Sequence, residues 1–194
     1  MNRVFIKKKE IHTFLGSLEV RLEDYIRYPL YSWPTTPVTY RIDFSGDNVC
    51  TEELVLSCGS KQLPCQFSDV VCRDDGTLLS ADVTFMADLP SGGARIFRLV
   101  KGIPEVFECP VTISETQDGI VLSNSIVKIK LPLSCDNPLN PPGPVMAMND
   151  DKAWIGSSRL ISRGRKVIQV ITNCVASGAV FTHFRVEYIF EGSG

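Results

Sequence analysis

The stretch that decides the fold covers residues 74–102 and reads DDGTLLSADVTFMADLPSGGARIFRLVKG. Asp75-Gly76 opens it, and this dipeptide tolerates the positive φ of a tight hairpin turn. Apolar and polar residues then alternate, as in a half-buried strand. The inward row of that strand is predicted to be Leu79, Ala81, Val83 and Phe85. A connector at 89–93 and a second alternating run at 95–100 follow, so the stretch predicts an antiparallel β module.

Similar short runs continue on both sides of this stretch. Residues 36–101 hold about six short strands with a turn roughly every 7 to 12 residues, which is typical of a small barrel or sandwich. Further strand candidates lie at 4–11, at 17–23 and throughout 106–190, and the segment 23–31 is the only plausible helical turn. We therefore predict an all-β chain, a small antiparallel barrel followed by part of a β-sandwich.

The chain of 194 residues divides by its turn and linker signals into three parts. Residues 1–33 form N-terminal strands and an entry segment, residues 34–102 form the barrel, and residues 103–194 form the first part of a sandwich. The segment 133–144 has four prolines in LSCDNPLNPPGP, so it is predicted to be an irregular loop or surface arm. Because the last part holds few strands, we expect it to be truncated and the chain to be a piece of a longer protein.

Composition narrows the classes of partner. Hydrophobic residues make up 44% and charged residues 22%, which favours a packed core. A net charge of -2 argues against nucleic acid as a partner, and the one basic run, Lys7-Lys8-Lys9, is interpreted as a solvated strand end. No apolar stretch is long enough for a membrane span, and the N-terminus lacks the pattern of a signal peptide. We expect a cytoplasmic protein without a membrane partner.

The cysteine pattern favours small, buried apolar side chains in a reducing compartment. The count is odd and no pair has C-x-x-C spacing. Only two histidines, His12 and His183, could join a zinc site, and they lie far apart, so neither a metal nor a cofactor is expected. The seven cysteines are Cys50, Cys58, Cys65, Cys72, Cys109, Cys135 and Cys174.

No catalytic constellation is visible in the sequence, so the catalytic residues remain unknown. The adjacent pairs Asp74-Asp75 and Asp150-Asp151 are interpreted as turn residues, because glycoside cleavage needs two facing carboxylates. His183 could face a cleft, but a hydrogen-bonded sheet histidine is the favoured interpretation. Three aromatic residues could stack on a sugar ring, although packing is the commoner role: Trp33, Trp154 and Tyr188.

Several pieces of the sequence resemble a known arrangement. "LPCQ" at 63–66, "DGTLLSADVTF" at 75–85 and "ADLPSGGARIFRL" at 87–99 resemble the RIFT-related β-barrel on the N-terminal side of YetA-like proteins and rhamnogalacturonan exolyases. "GIVLSNSIVKIKL" at 119–131 is similar to the first strands of the galactose-mutarotase-like β-supersandwich. The resemblance spans about half of the chain, residues 34–131, and assigns 34–102 to the barrel and 103–194 to the start of the supersandwich.

The resemblance implies a role in polysaccharide processing. In such enzymes the barrel and supersandwich support a separate catalytic unit, usually a helical toroid, and this chain has no matching helical pattern. No catalytic residue can therefore be carried over. The implied function is a non-catalytic β region of a larger polysaccharide lyase or glycoside hydrolase, with a polysaccharide or oligosaccharide and the parent's catalytic domain as partners. The alternative is a stand-alone carbohydrate-binding or protein-interaction module.

Overall fold

The computed structural model describes residues 11–150, 152–161 and 163–192. These residues form fifteen strands and one short 3-10 turn, which confirms the all-β prediction. The helical turn predicted at 23–31 is wrong, because Glu23 ends a strand and residues 24–31 form a loop. The predicted strand at 4–11 lies almost entirely outside the described residues, as do Lys7-Lys8-Lys9 and Asp151. No helix within the described ranges is long and apolar enough to cross a membrane.

The chain forms two compact units, one ending at Glu108 and the other starting at Cys109. The first unit contains two four-stranded sheets. One sheet has the order β1-β3-β7-β6, with strands β1 (Ile11–Thr13), β3 (Trp33–Asp43), β6 (Cys65–Cys72) and β7 (Leu78–Leu89). The other has the order β2-β8-β4-β5, with strands β2 (Ser17–Glu23), β4 (Leu54–Cys58), β5 (Lys61–Leu63) and β8 (Ala94–Lys101). Residues 11–13 and 17–23 are thus parts of these sheets.

The predicted barrel needs a correction, because the two sheets of the described residues do not close into one. Pro64, which has no backbone N–H to donate, separates β5 in one sheet from β6 in the other. The sheets are also not wholly antiparallel, since β1 pairs with β3 in parallel. Two open sheets around one core therefore describe this unit.

The hairpin predicted at Asp75-Gly76 is present, because β6 and β7 pair antiparallel across it. Gly76 has a φ of 85°, a left-handed conformation that glycine adopts without strain. The strands on either side of 89–93 behave differently. β7 pairs with β3 and β6, whereas β8 pairs with β2 and β4, so the connector carries the chain from one sheet to the other.

The predicted inward row is confirmed at three of its four positions. Ala81, Val83 and Phe85 are buried in the core, each at most 2% exposed. The assignment of Leu79 to this row is wrong, because Leu79 is only half-buried. Leu78, which is 1% exposed, joins the core instead. On β6, the adjacent Val71 and Cys72 pair with Ser80 and Leu78, so Leu79 is an extra residue in β7. Such a bulge reverses the inward–outward alternation of the residues that precede it.

The second unit contains a five-stranded antiparallel sheet and a separate two-stranded hairpin. The sheet has the order β13-β12-β11-β10-β9, with strands β9 (Thr112–Thr116), β10 (Gly119–Ser123), β11 (Lys128–Leu131), β12 (Ala147–Asn149) and β13 (Trp154–Ile155). The hairpin is formed by β14 (Val167–Ser177) and β15 (Thr182–Phe190). A small apolar cluster contains Ile120, Leu122 and Leu131, with Phe184 packed against it.

Candidate functional site

In the described part of the first unit, several large apolar side chains from the end of β2 to the start of β3 are exposed. We call residues 24–33 the aromatic loop. Single exposed apolar residues are common on protein surfaces, but six of them within ten residues make this segment a candidate contact surface. Its exposed side chains are those of Tyr25, Ile26, Tyr28, Leu30, Tyr31 and Trp33.

A buried carboxylate, Asp24, anchors the aromatic loop and is only 2% exposed. Its Oδ2 accepts a hydrogen bond from the backbone N–H of Gly92 at 2.8 Å. Its Oδ1 accepts from the indole Nε1–H of Trp33 and from the N–H of Ile26, both at 3.0 Å. The Gly92 hydrogen bond, followed by the one from Trp33, holds the pKa of Asp24 below its ordinary value, because these donors favour the charged form.

Further hydrogen bonds join the aromatic loop to the connector between β7 and β8. The N–H of Asp24 donates to the carbonyl of Gly93 at 3.0 Å, and the hydroxyl of Ser91 donates to the carbonyl of Tyr28 at 2.7 Å. Within the loop, the N–H of Tyr31 donates to the same Tyr28 carbonyl at 3.0 Å. An exposed loop held at several points loses little conformational entropy when it binds a ligand.

The indole ring of Trp33 is therefore fixed in orientation and still accessible, with 39% of the residue exposed. Its N–H is occupied by Asp24, so the ring offers its apolar surface. Tyr31 stands almost perpendicular to it, with ring centroids 5.5 Å apart and an interplanar angle of 80°. Together the two rings form an aromatic corner on which a flat, partly apolar ligand can stack.

The other two aromatic candidates have different environments. Trp154 in β13 is 43% exposed, and the Lys130 ammonium lies 5.4 Å from its ring centroid, a cation–π contact. Tyr188 in β15 is half-buried and its hydroxyl donates to the carbonyl of Pro142 at 2.9 Å, so its role is structural. Trp33 and Trp154 belong to different units.

The remaining polar candidates that the structure describes have separate local environments. Asp75 accepts hydrogen bonds from the backbone N–H and hydroxyl of Thr77, which matches its predicted turn role and lowers its pKa. His12 packs edge-on against Tyr40, and His183 is exposed on β15. Across the described ranges, no group of three or more His, Cys, Asp or Glu side chains could hold a metal ion.

The expectation that the cysteines are buried needs a correction. All seven are free; Cys72 and Cys174 are exposed and the other five are half-buried. Cys58 and Cys65 do pack against the core as predicted. Cys109 lies instead among polar atoms, with its Sγ 3.5 Å from the hydroxyl of Ser177 and 3.6 Å from that of Thr182.

Cys109 should be alkylated at least about tenfold faster than Cys65 near pH 7.5, because the thiolate is the reactive form. The hydrogen bond with the Ser177 hydroxyl is the main cause that lowers the pKa of Cys109. Burial, in contrast, raises the pKa of Cys65 to about 11. Iodoacetamide labelling followed by peptide mass spectrometry measures both rates in one sample. Ser177→Ala should slow Cys109 and leave Cys65 unchanged; equal rates in the unaltered protein would contradict the assignment.

Trp33 could be named from the sequence as a possible stacking residue, but its anchor Asp24 could not. Asp24 is distant in sequence from Gly92, and no local pattern indicates their hydrogen bond.

No protein-family model matches the chain, and no curated protein matches it either.

Proposed function

We propose that this chain is a non-catalytic β region of a carbohydrate-active enzyme, a polysaccharide lyase or glycoside hydrolase, and that the aromatic loop binds the polysaccharide. The observation that carries the proposal is the Trp33 ring, exposed and held in one orientation by buried Asp24. The sequence pieces at 63–66, 75–85 and 87–99, which resemble the barrel of rhamnogalacturonan exolyases, support the same class.

The physical basis is the shape of a pyranose ring. One face of many pyranoses presents C–H groups, which pack on an aromatic ring, while the hydroxyls at the rim keep their water or polar partners. Trp33 supplies the ring face and Tyr31 a second ring at nearly a right angle. Because the loop is already ordered by Asp24 and Ser91, binding does not have to order it.

Catalysis is assigned to another part of the longer protein. Acid–base cleavage of a glycosidic bond uses two carboxyl groups that face each other across the bond. Of the aspartates considered from sequence, Asp75 is committed to its turn through Thr77. The proposal that the chain is a region of a larger enzyme predicts a gene that continues past Gly194 into further strands and a long helical segment. A stop codon there, with no neighbouring partner gene, would count against the larger-enzyme part of the proposal.

Trp33→Ala should weaken glycan binding by at least about tenfold, since truncating a central aromatic contact costs about 2 kcal/mol or more and about 1.4 kcal/mol corresponds to tenfold. A glycan array with plant and microbial polysaccharides measures the change. Ile103→Ala is the matched control, because Ile103 is 90% exposed in the same unit but lies outside the loop. Unchanged binding in Trp33→Ala, or equal weakening in both variants, would contradict the proposed role of the loop.

Asp24→Asn tests the anchoring role separately. Asn can still accept a hydrogen bond at one atom, but it cannot accept at both positions used by Gly92 and Trp33. Weaker glycan binding with an unchanged circular dichroism spectrum is expected, because Trp33 is then no longer held in place. Full binding by this variant would show that ring orientation does not matter.

A second candidate is a stand-alone protein-interaction module. Leu30 and Ile26 in the same loop are 88% and 67% exposed, and aliphatic side chains are more typical of protein contacts than of sugar contacts. The variant Leu30→Asp distinguishes the glycan-binding candidate from the protein-interaction candidate. It should leave glycan binding intact if Trp33 and Tyr31 carry the function. Absence of binding to every glycan would favour the protein-interaction candidate.

The free cysteines are in keeping with the expected reducing, cytoplasmic location, which remains part of the proposal. Fractionation of cells that express the natural protein would test it.

A further inference from the structure

The second unit contains a polar cleft of about 540 Å³, a volume within the range of small-molecule sites. We call it the polar cleft. It lies where β11 meets the proline-rich segment that follows this strand. Its charged and amide side chains include Lys130, Arg159, Asp118, Asp136, Asn137 and Asn140.

The wall of the polar cleft is irregular in sequence but firmly held. The Tyr188 hydroxyl donates to the carbonyl of Pro142, and the N–H of Val167 donates to the carbonyl of Pro138, both at 2.9 Å. Two further backbone hydrogen bonds, from Leu160 to Pro141 and from Gly143 to Ser158, are 3.0 Å long. Proline φ angles are fixed as well, so the wall keeps its shape without a ligand.

The formal charges of the described cleft side chains cancel. Lys130 and Arg159 are balanced by Asp118 and Asp136. Lys130 is already engaged on two sides, with its Nζ 3.6 Å from Asp118 Oδ2 and 5.4 Å from the centroid of the Trp154 ring. An anionic ligand would therefore meet as many carboxylates as cations, and one of the cations, Lys130, is already paired with Asp118, so the cleft offers it no net attraction.

The same side chains can both donate and accept hydrogen bonds. Asn137 Oδ1 accepts from the N–H groups of Leu139 and Asn140, both at 3.2 Å, which fixes the side chain and leaves its amide N–H groups as donors. Asp136 adds carboxylate acceptors, and Arg159 adds guanidinium donors. Sugar hydroxyls need donors and acceptors side by side, because each hydroxyl both donates and accepts.

We infer that the polar cleft binds an uncharged, polyhydroxylated ligand, a neutral sugar residue, and discriminates against its uronate counterpart. This site lies in a different unit from the aromatic loop and adds a second sugar contact to the proposed function. The inference rests on the cleft's own charges and hydrogen-bonding groups, so it does not depend on Trp33.

The discriminating experiment is a ¹⁵N-resolved NMR titration of the whole chain with galactobiose and, separately, digalacturonate. These probes differ chiefly in a hydroxymethyl group against a carboxylate at each ring. We expect galactobiose to shift the side-chain amide signals of Asn137 and Asn140, and digalacturonate to bind there at least about tenfold more weakly. Equal or tighter binding of digalacturonate, or no shift of these signals with galactobiose, would overturn the inference.

Matched variants confine the effect to the polar cleft. Arg159→Gln and Asp136→Ala, which remove a donor and an acceptor, should each weaken galactobiose binding in this titration at least about fivefold. Lys128→Gln, on β11, and Glu115→Ala, on β9, should leave the binding unchanged, because neither residue lines the cleft. Equal effects of cleft and control variants would contradict the assignment.

The Trp33→Ala variant separates this inference from the proposed function. Cleft shifts that persist in Trp33→Ala support an independent site. If galactobiose or a longer glycan perturbs the Trp33 indole signal but never the signals of Asn137 and Asn140, the polar-cleft inference fails while the aromatic-loop proposal stands. If only the signals of Asn137 and Asn140 move, the aromatic-loop proposal fails while the polar-cleft inference stands.

Discussion

Phe85→Ala is expected to lower the free energy of unfolding by about 3–5 kcal/mol, the usual cost of emptying a buried phenylalanine site. Phe85 is 2% exposed on β7, and its ring lies 4.7 Å from that of Phe97 and 6.1 Å from that of Tyr40. Phe97 comes from the other sheet, so the substitution opens a cavity between the two sheets of the first unit. Urea denaturation followed by circular dichroism measures the loss.

The control for Phe85 is Ile96→Ala, an apolar truncation at a position that is 36% exposed on the neighbouring strand β8. It should cost less than about 1 kcal/mol, because little of the side chain is removed from the core. A small loss in Phe85→Ala, or losses of equal size in both variants, would show that the inward row of β7 has been assigned to the wrong face.

Arg73→Ala is expected to cost roughly 3 kcal/mol, because one guanidinium satisfies several backbone carbonyls that would lose a charged donor. Arg73 donates to Ser45 O at 2.8 Å and to Asp47 O and Leu78 O at 3.0 Å. It also donates to the Thr77 hydroxyl at 2.9 Å. The residue therefore joins the loop after β3 to the turn that starts β7.

Arg73→Lys should recover only a minor part of this stability, since an ammonium cannot reach acceptors in several directions as the planar guanidinium does. Arg98→Ala is the control for removing an arginine. Arg98 lies 3.0 Å from Glu19 with its side chain 65% exposed, and such surface ion pairs contribute at most about 1 kcal/mol. Full stability of Arg73→Lys would contradict the multiple-acceptor explanation.

Sequence pattern predicted the local features of the fold well. Alternation identified the strand that contains Ala81, Val83 and Phe85, and Asp75-Gly76 identified its turn. It did not predict the bulge at Leu79, because a bulge depends on which residues of the partner strand lie opposite. Nor did it predict that β7 and β8 belong to different sheets, since a turn between two strands does not determine their pairing.

The candidate sites were harder to predict from the sequence, because they too depend on contacts between residues that are distant in sequence. Trp33 could be suspected from its type, but the bonds from Asp24 to Gly92 and Trp33 depend on long-range geometry. Lys130 carries no sequence signal of a site, yet its side chain is 20% exposed and lines the polar cleft. The cleft wall comes from a segment whose prolines indicated only irregular structure.

The central claim, that Trp33 in the aromatic loop contacts a sugar, is tested most directly by saturation-transfer NMR and the Trp33 indole signal in the presence of oligosaccharides. The account predicts saturation transfer to the C–H face of a pyranose ring and a shift of the Trp33 indole signal with the same oligosaccharide, with the transfer reduced in Trp33→Ala. No transfer and an unmoved indole signal with every oligosaccharide that binds the chain would contradict it.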